Sequence, residues 1–344
     1  MKKSKIMLPL LALFIAVQLT AKHGQPKELG QIRWTRNFEE GLAQAAKVNK
    51  PVFLLFQEVP GCSTCRNYGQ HVLSHPLIAE AIETLFVPVA IFNNKGGEDA
   101  KVLKYYGEPS WNNPVVRIVN AQKENIIDRL NGNYSRLGIV QAMRLALQTE
   151  NLEVPPYLSL LEEELLAAQS GSETAIFSMF CFWTGEKELG KIDGVVETQA
   201  GFMNGREVVS VKYDPAVIPY KKLLQSANQA SCADHAYTDE KAQSNTAAAV
   251  LGKEKVATTG QFRADREPKY YLGKTMYRFV PMTQLQALKV NSLIGQRQVP
   301  DAILSPRQLA LLKYIRANPN GQWKNQINVD FVEAWKEVVD KKKA

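Results

Sequence analysis

The chain has 344 residues, 45% hydrophobic and 22% charged, the make-up of an ordinary globular protein long enough for two domains, each with its own core. Lys and Arg (42) outnumber Asp and Glu (34), giving +8, but apart from Lys341-Lys342-Lys343 the basic residues are scattered. They form no basic stripe interleaved with aromatics, which argues against a nucleic-acid partner.

The first residues read as a secretory signal: Lys2, Lys3 and Lys5, then an apolar run from Ile6 to Val17, then a small residue at Ala21 where cleavage is expected. The run is short for a membrane span of about 20 residues, although Leu19 is a mediocre match to a cleavage site and an uncleaved anchor is the alternative. Either way the mature chain is expected in an oxidising compartment, periplasmic or secreted. The four cysteines, Cys62, Cys65, Cys181 and Cys232, are too sparse for a framework of structural disulfides and point to redox chemistry.

After a polar stretch from Lys22 to Gly30, Ile32-Arg33-Trp34 reads as a short strand, and Phe38 to Lys47 is apolar at helical spacing. Pro51 to Phe56 is a continuous apolar run suited to a central parallel strand. Val59-Pro60-Gly61-Cys62-Ser63-Thr64-Cys65 then leads into a helix that breaks near His75-Pro76. Leu77 to Leu85 reads as a helix, Phe86 to Phe92 and Pro114 to Val119 as strands, Asn120 to Gly132 as a hairpin and Ser135 to Gln148 as a closing helix. His71 and His75 read as structural. A Cys-x-x-Cys that follows a buried strand and opens a helix is the thioredoxin-like signature, and the stretch 31–150 resembles that fold. The resemblance makes Cys62 the attacking thiol and Cys65 the resolving one, and makes Pro114 a cis-proline opposite them. The Val-Pro-Gly-Cys entry resembles a subgroup in which selenocysteine can take the first redox position. A permanently closed disulfide, or half of a metal site, are the alternatives for the pair; two further ligands for a four-thiolate site are not visible in the sequence.

A linker follows (151–171), with a helix from Leu158 to Gln169 whose Glu162, Glu163 and Glu164 read as a solvated face. Then comes Ile176-Phe177-Ser178-Met179-Phe180-Cys181-Phe182-Trp183, an apolar strand turning into a helix that closes at Gly190. This places Cys181 near the positive end of a helix, where a thiolate is favoured. The run resembles the active-site strand of peptide methionine sulfoxide reductase A. Glu186, Ala200-Gly201-Phe202, Glu207-Val208-Val209-Ser210-Val211 and Ala264-Asp265-Arg266-Glu267-Pro268-Lys269-Tyr270-Tyr271-Leu272 resemble later motifs of that family, in the family's order. The fold class expected is therefore mixed α/β and α+β: a thioredoxin-like domain, then a reductase-A-like α+β plait (172–275), then a helical C-terminal extension (276–344) packed against that second domain.

The resemblance implies a chemistry. The Cys181 thiolate attacks a sulfoxide sulfur, Glu207 serves as proton donor, and Phe182, Trp183 and Asp239 line the substrate pocket. Cys232 is the candidate to resolve the resulting sulfenic acid, with Asp234-His235 beside it an ordinary polar loop or an acid–base pair. The first domain would then supply reducing equivalents across a flexible tether and be recharged by a membrane or periplasmic thiol donor. No cofactor or metal is expected, and the substrates would be oxidised peptides or proteins. The chain departs from the family where Phe180 and Thr184 replace glycines, where Met203-Asn204-Gly205-Arg206 replaces a loop bearing a pocket tyrosine, where Ser244 replaces a second tyrosine and where Glu267-Pro268 replaces a His-Gln. The oxygen-binding shell is thus incomplete. A general thiol–disulfide oxidoreductase with a client-binding second domain is the alternative, and a non-catalytic scaffold a further one.

Overall fold

The computed structural model describes residues 24–341; the expected signal segment (1–21) lies outside them. The first module contains α1 (Phe38–Val48), β1 (Val52–Gln57), α2 (Ser63–His71), α3 (Pro76–Leu85), β2 (Val87–Phe92), α4 (Glu98–Tyr106), β3 (Val115–Val119), β4 (Leu130–Asn131) and α5 (Arg136–Thr149). Local chemistry sets the helix starts: Asn37 and Ser135 accept N–H groups of the first turns of α1 and α5, and Pro76 opens α3 where no donor is needed. The strand order is β2-β1-β3-β4, with β1 and β2 parallel and β3 antiparallel to β1. Every residue of β1 is buried, because helices cover both faces: Leu54 and Phe56 meet α1 and α4, while Phe53 and Leu55 meet α3 and α5.

Two expectations for this module are corrected. Ile32-Arg33-Trp34 is not a strand: the Arg33 N–H goes to Glu83 (2.8 Å) and the Trp34 indole N–H to Leu29 O (2.8 Å), leaving Thr35 a single bridge to Val89. The helix α4 was not anticipated, although Gly97 before it and left-handed Gly107 after it are its stop signals.

The helix α6 (Pro156–Ser170) leads to a second sheet of β5 (Glu173–Ser178), β6 (Val195–Met203), β7 (Arg206–Tyr213), β8 (His235–Tyr237), β9 (Val256–Ala257) and β10 (Arg263–Ala264), in the order β10-β6-β7-β5-β8-β9. All pairs are antiparallel except β8–β9. The β6–β7 hairpin turns on Asn204 and Gly205, both at positive φ, as a tight two-residue turn requires. Helices α7 (Phe182–Leu189), α8 (Tyr220–Gln229), α9 (Lys241–Leu251) and α10 (Tyr270–Gly273) accompany this sheet, and α11 (Gln284–Gly295), α12 (Pro306–Ala317) and α13 (Phe331–Lys341) complete the described chain. No helix among the described residues is long and apolar enough to cross a membrane.

The linker and the extension behave differently from expectation. The acidic face of α6 is not solvated. Glu162 pairs with Arg144 of α5, and Glu164 is half-buried with its carboxylate accepting the Leu285 N–H (2.9 Å) at the start of α11. Burial pushes the Glu164 and Glu163 carboxyls above the usual carboxylate range. The reason is position: α6 lies between the sheets, with Leu158 and Leu161 in the first module's core and Leu160 against the second's. The extension likewise divides. Leu285 and Leu288 of α11 join the core of the second sheet, but α12 and α13 pack on the first module. Ser305 Oγ donates to Glu80 Oε2 (2.7 Å), Arg307 N–H to Glu80 Oε1 (2.7 Å), the Arg307 guanidinium pairs with Glu83, and Phe331 lies against His75. One continuous apolar cluster runs from Phe53 and Ile139 through Leu158 to Val290, Leu312 and Trp335. Helices α6 and α11 each contribute to the apolar clusters of both modules, so the modules are joined by packed helices and not by a flexible tether.

Candidate active site

Each sheet presents a cysteine at the same kind of place, the step from a strand end into a helix. In the first module Cys62 is the N-cap of α2. The loop before it is held from behind: Gly61 N–H donates to the buried Glu28 carboxylate (2.9 Å), and Gln57 Nε2 donates to Glu28 O (2.7 Å) and Cys65 O (3.1 Å). Gly61 has no room for a side chain, since a Cβ would meet Glu58 O at 2.3 Å and Cys65 Cβ at 2.7 Å. Cys62 is exposed, and the Cys65 backbone N–H lowers its pKa. Burial pushes the Cys65 thiol up to about 12. The two sulfurs are 3.7 Å apart and unbonded, and Cys65 Sγ donates to Asn113 Oδ1 (2.6 Å). The Asn113–Pro114 peptide is cis, and so is Val59–Pro60, which the sequence did not suggest. Trp111, 81% exposed, stands in the same loop as Asn113.

In the second module Cys181 is the N-cap of α7, half-buried, at the end of the central strand β5. The first helical N–H, that of Phe182, has no partner within the helix and donates to Glu207 Oε2 (2.8 Å). Glu207 arrives there because β7 pairs with β5 and the ladder continues past it, Met179 N–H donating to Glu207 O (3.2 Å). The nucleophile and acid singled out from sequence thus meet around one helix terminus, Glu207 being half-buried. Gly185 lets α7 lie on this strand: a Cβ there would meet Met179 Sδ at 1.9 Å. Phe182 is buried edge-on to Phe202 (5.1 Å) and forms a floor, while Trp183 is half-exposed and forms a wall. Phe180, where the family has glycine, is 95% exposed.

Sequence reasoning missed what orients this wall. Trp183 stacks on Tyr270 (3.9 Å between centroids, 13° between planes), and its indole N–H donates to Asp265 Oδ2 (2.9 Å). Both partners come from the late motif 264–272, which signalled the family but offered no geometry. Lys269, between them, is 2% exposed and pairs with Glu186 of α7, itself 1% exposed, at 2.9 Å. Thr198 of β6 completes the group, its hydroxyl donating to Glu186 Oε1 (3.1 Å) and its carbonyl accepting from the lysine. This buried cluster ties α7, β6 and the 265–270 segment into one unit, so the stacked Tyr270 is fixed relative to Cys181.

Two expected residues are held by other groups. β8 runs antiparallel to β5, with Ser178 opposite His235 and Ile176 opposite Tyr237, so the chain beyond Tyr237 heads toward the start of β5, away from Cys181. Asp239 instead accepts the Thr259 N–H (3.2 Å) and hydroxyl. Cys232 comes near the site through Asp234, whose N–H donates to Ser178 O (2.8 Å), but its thiol is 2% exposed, turned to Ala230 O (3.3 Å), and pushed up to about 11 by burial. His235, read as loop, lies in strand β8 beside Ser178.

Residues 33–121 match the model of a thioredoxin-like family and form a thioredoxin-like domain. Over a portion of its length the chain is similar to peptide methionine sulfoxide reductases. The protein MsrA of Methanococcus maripaludis strain C6 is 36% identical over 73 residues, covering 16% of this chain and 46% of that protein. MsrA of Salmonella arizonae is 31% identical over 104 residues, 25% of this chain and 49% of that protein. Reductase A5 of Oryza sativa subsp. japonica is 38% identical over 72 residues, 17% and 28% respectively. The chain spans about half or less of the length of these curated relatives. Together the two likenesses support a thiol-dependent redox function for a fusion of the two modules.

Proposed function

We propose that this protein reduces methionine-S-sulfoxide in peptides and proteins. The carrying observation is Cys181 capping α7 with the Glu207 carboxylate 2.8 Å from the next backbone N–H, beside the Phe182–Trp183 surface. The Cys181 thiolate attacks the sulfoxide sulfur. Glu207, next to it, passes the proton that the departing oxygen needs. The thioether is released and the oxygen stays on Cys181 as sulfenic acid, so thiol plus sulfoxide give sulfenic acid plus thioether. A second thiol condenses with the sulfenic acid, forming a disulfide and water. Cys232 is the candidate for that step, and its buried thiol must turn outward to reach Cys181. The Cys62–Cys65 dithiol then takes up the disulfide by exchange, its exposed, lowered-pKa sulfur attacking first. An external thiol donor recharges Cys62 and Cys65, and the N-terminal apolar run supports a periplasmic or secreted setting.

Packing of α6 and α11 between the modules gives the relay a different character from a flexible tether. The effective concentration of one site at the other is then set by packed geometry, and exchange within one chain or between chains are the two routes. Turnover of peptide-bound methionine-S-sulfoxide with dithiothreitol as reductant tests the reading: it is expected in the wild-type chain, kept in Cys62→Ser and lost in Cys181→Ser. A second reading, a disulfide oxidoreductase whose second module holds clients, is favoured by exposed Phe180. It is supported if sulfoxide turnover is absent while insulin disulfides are still reduced.

A further inference from the structure

The first module's dithiol has a third donor that the relay does not use. Glu58 directly precedes the Val59-Pro60-Gly61 loop, and its carboxylate oxygen and the sulfurs of Cys62 and Cys65 all lie within 4.8 Å of one another. The sulfurs are 3.7 Å apart. Two thiolates at about 2.3 Å from one tetrahedral zinc ion stand about 3.8 Å from each other, so the reduced pair already has the separation that a shared ion imposes. Asn113 Oδ1, 2.6 Å from Cys65 Sγ, accepts the thiol proton in the metal-free form. The site is reachable, because Cys62 is exposed and Glu58 half-buried. Two sulfurs and a carboxylate suit a zinc-class cation and not magnesium or calcium, which require oxygen donors.

We propose that the reduced Cys62–Cys65 pair and Glu58 form a binding site for one thiophilic divalent cation of the zinc class. Binding is not a redox step: each coordinating thiol gives up its proton, two metal–sulfur bonds form and no electrons move. Oxidation abolishes the site, since a disulfide draws the sulfurs to about 2.05 Å and leaves no thiolate to donate. Metal binding and electron relay therefore exclude each other at this loop, and bound zinc holds the dithiol reduced and silent.

The full chain, reduced with a phosphine in metal-free buffer, is titrated with Co²⁺ and then with Zn²⁺, following thiolate-to-cobalt charge-transfer absorption. One equivalent of Co²⁺ is expected to bind and be displaced by Zn²⁺. The bands should vanish in Cys62→Ser and in Cys65→Ser and persist in Cys181→Ser, and the dissociation constant should rise about 10-fold or more in Glu58→Gln. The disulfide form should bind none, and zinc should block reduction of a small-molecule disulfide until a chelator is added. Far-UV circular dichroism establishes that each variant is folded. Absence of the bands in the reduced wild-type chain, their survival in Cys62→Ser, or an unchanged affinity in Glu58→Gln would each overturn the proposal.

Discussion

The two thiol loops of this molecule are built alike and surrounded differently. Cys62 and Cys181 are each the N-cap residue of a helix that begins after a central strand ends. Around Cys62 the nearest groups are a second thiol at 3.7 Å, a carboxylate and an amide, an arrangement for exchanging electrons or holding a soft ion. Around Cys181 the neighbours are a carboxylate on the helix N–H and a set of aromatic rings, the arrangement on which the proposed sulfoxide chemistry rests. A helix terminus makes a nucleophile; what that nucleophile does is decided by the second group placed beside it.

The largest effect that would separate the loops is on turnover. Cys181→Ser should lower sulfoxide reduction by about 10³-fold or more while disulfide exchange at Cys62 continues, and Cys62→Ser should do the reverse when dithiothreitol is the reductant. Parallel steady-state assays of both reactions check this; loss of both activities in either variant would mean that the loops are not separable. Next, Glu207→Gln keeps a group able to accept the Phe182 N–H but carries no titratable proton, so kcat for the sulfoxide should fall about 10²-fold with disulfide exchange unchanged. An unchanged kcat would remove Glu207 from the chemistry.

Sharpening the contrast in stability, Lys269→Met leaves Glu186 buried and unpaired, and about 3–5 kcal/mol should be lost in urea denaturation. At the Cys62 loop the buried Glu28 carboxylate accepts a backbone N–H instead, that of Gly61. A loss below about 1 kcal/mol would show that the 265–270 segment is not anchored through this pair.

The sequence carried the strand–helix junctions well, because an apolar run ending in a Cys at a helix start is a local pattern, and so are the capping boxes at Thr283 and Ser305. It carried the meeting of Cys181 and Glu207 only through family resemblance, since β7 must find β5 across 25 residues of chain before they touch. It failed where charge was read without tertiary context. Glu162, Glu163 and Glu164 looked solvated because helical spacing cannot say that another helix start will be laid against them. The Trp183–Tyr270–Asp265 assembly was missed because it joins residues more than 80 apart.

The pH response should also distinguish the first module. Burial holds His75 down to about 3, so the folded form keeps the ring neutral. An unfolded histidine, near 6.5, takes up its proton first as pH falls, so this contribution is complete above about pH 6.5 and is lost as pH falls toward 3, by up to about 1.4 kcal/mol per pH unit. Glu80, whose carboxyl burial raises, acts in the opposite sense, its protonated form being favoured in the fold. The difference between wild type and His75→Leu across pH 4 to 7 isolates the imidazole. Parallel pH profiles for the two would mean that His75 is not held neutral.

The smallest expected effect tests the weld between the modules. Ser135 and Ser305 both cap helices by accepting a first-turn N–H, but Ser305 also donates to Glu80 Oε2 across to α3. Ser135→Ala should cost about 1 kcal/mol, the loss of a cap. Ser305→Ala should cost that plus about 1 kcal/mol or more, because a buried carboxylate loses a donor. Packing of α6 and α11 into both clusters is expected to couple the modules in one unfolding transition, so Ser305→Ala should lower a single calorimetric peak without splitting it. Two resolved peaks in the wild-type chain, or equal costs for the two serines, would mean that α12 rests on the first module without joining its core.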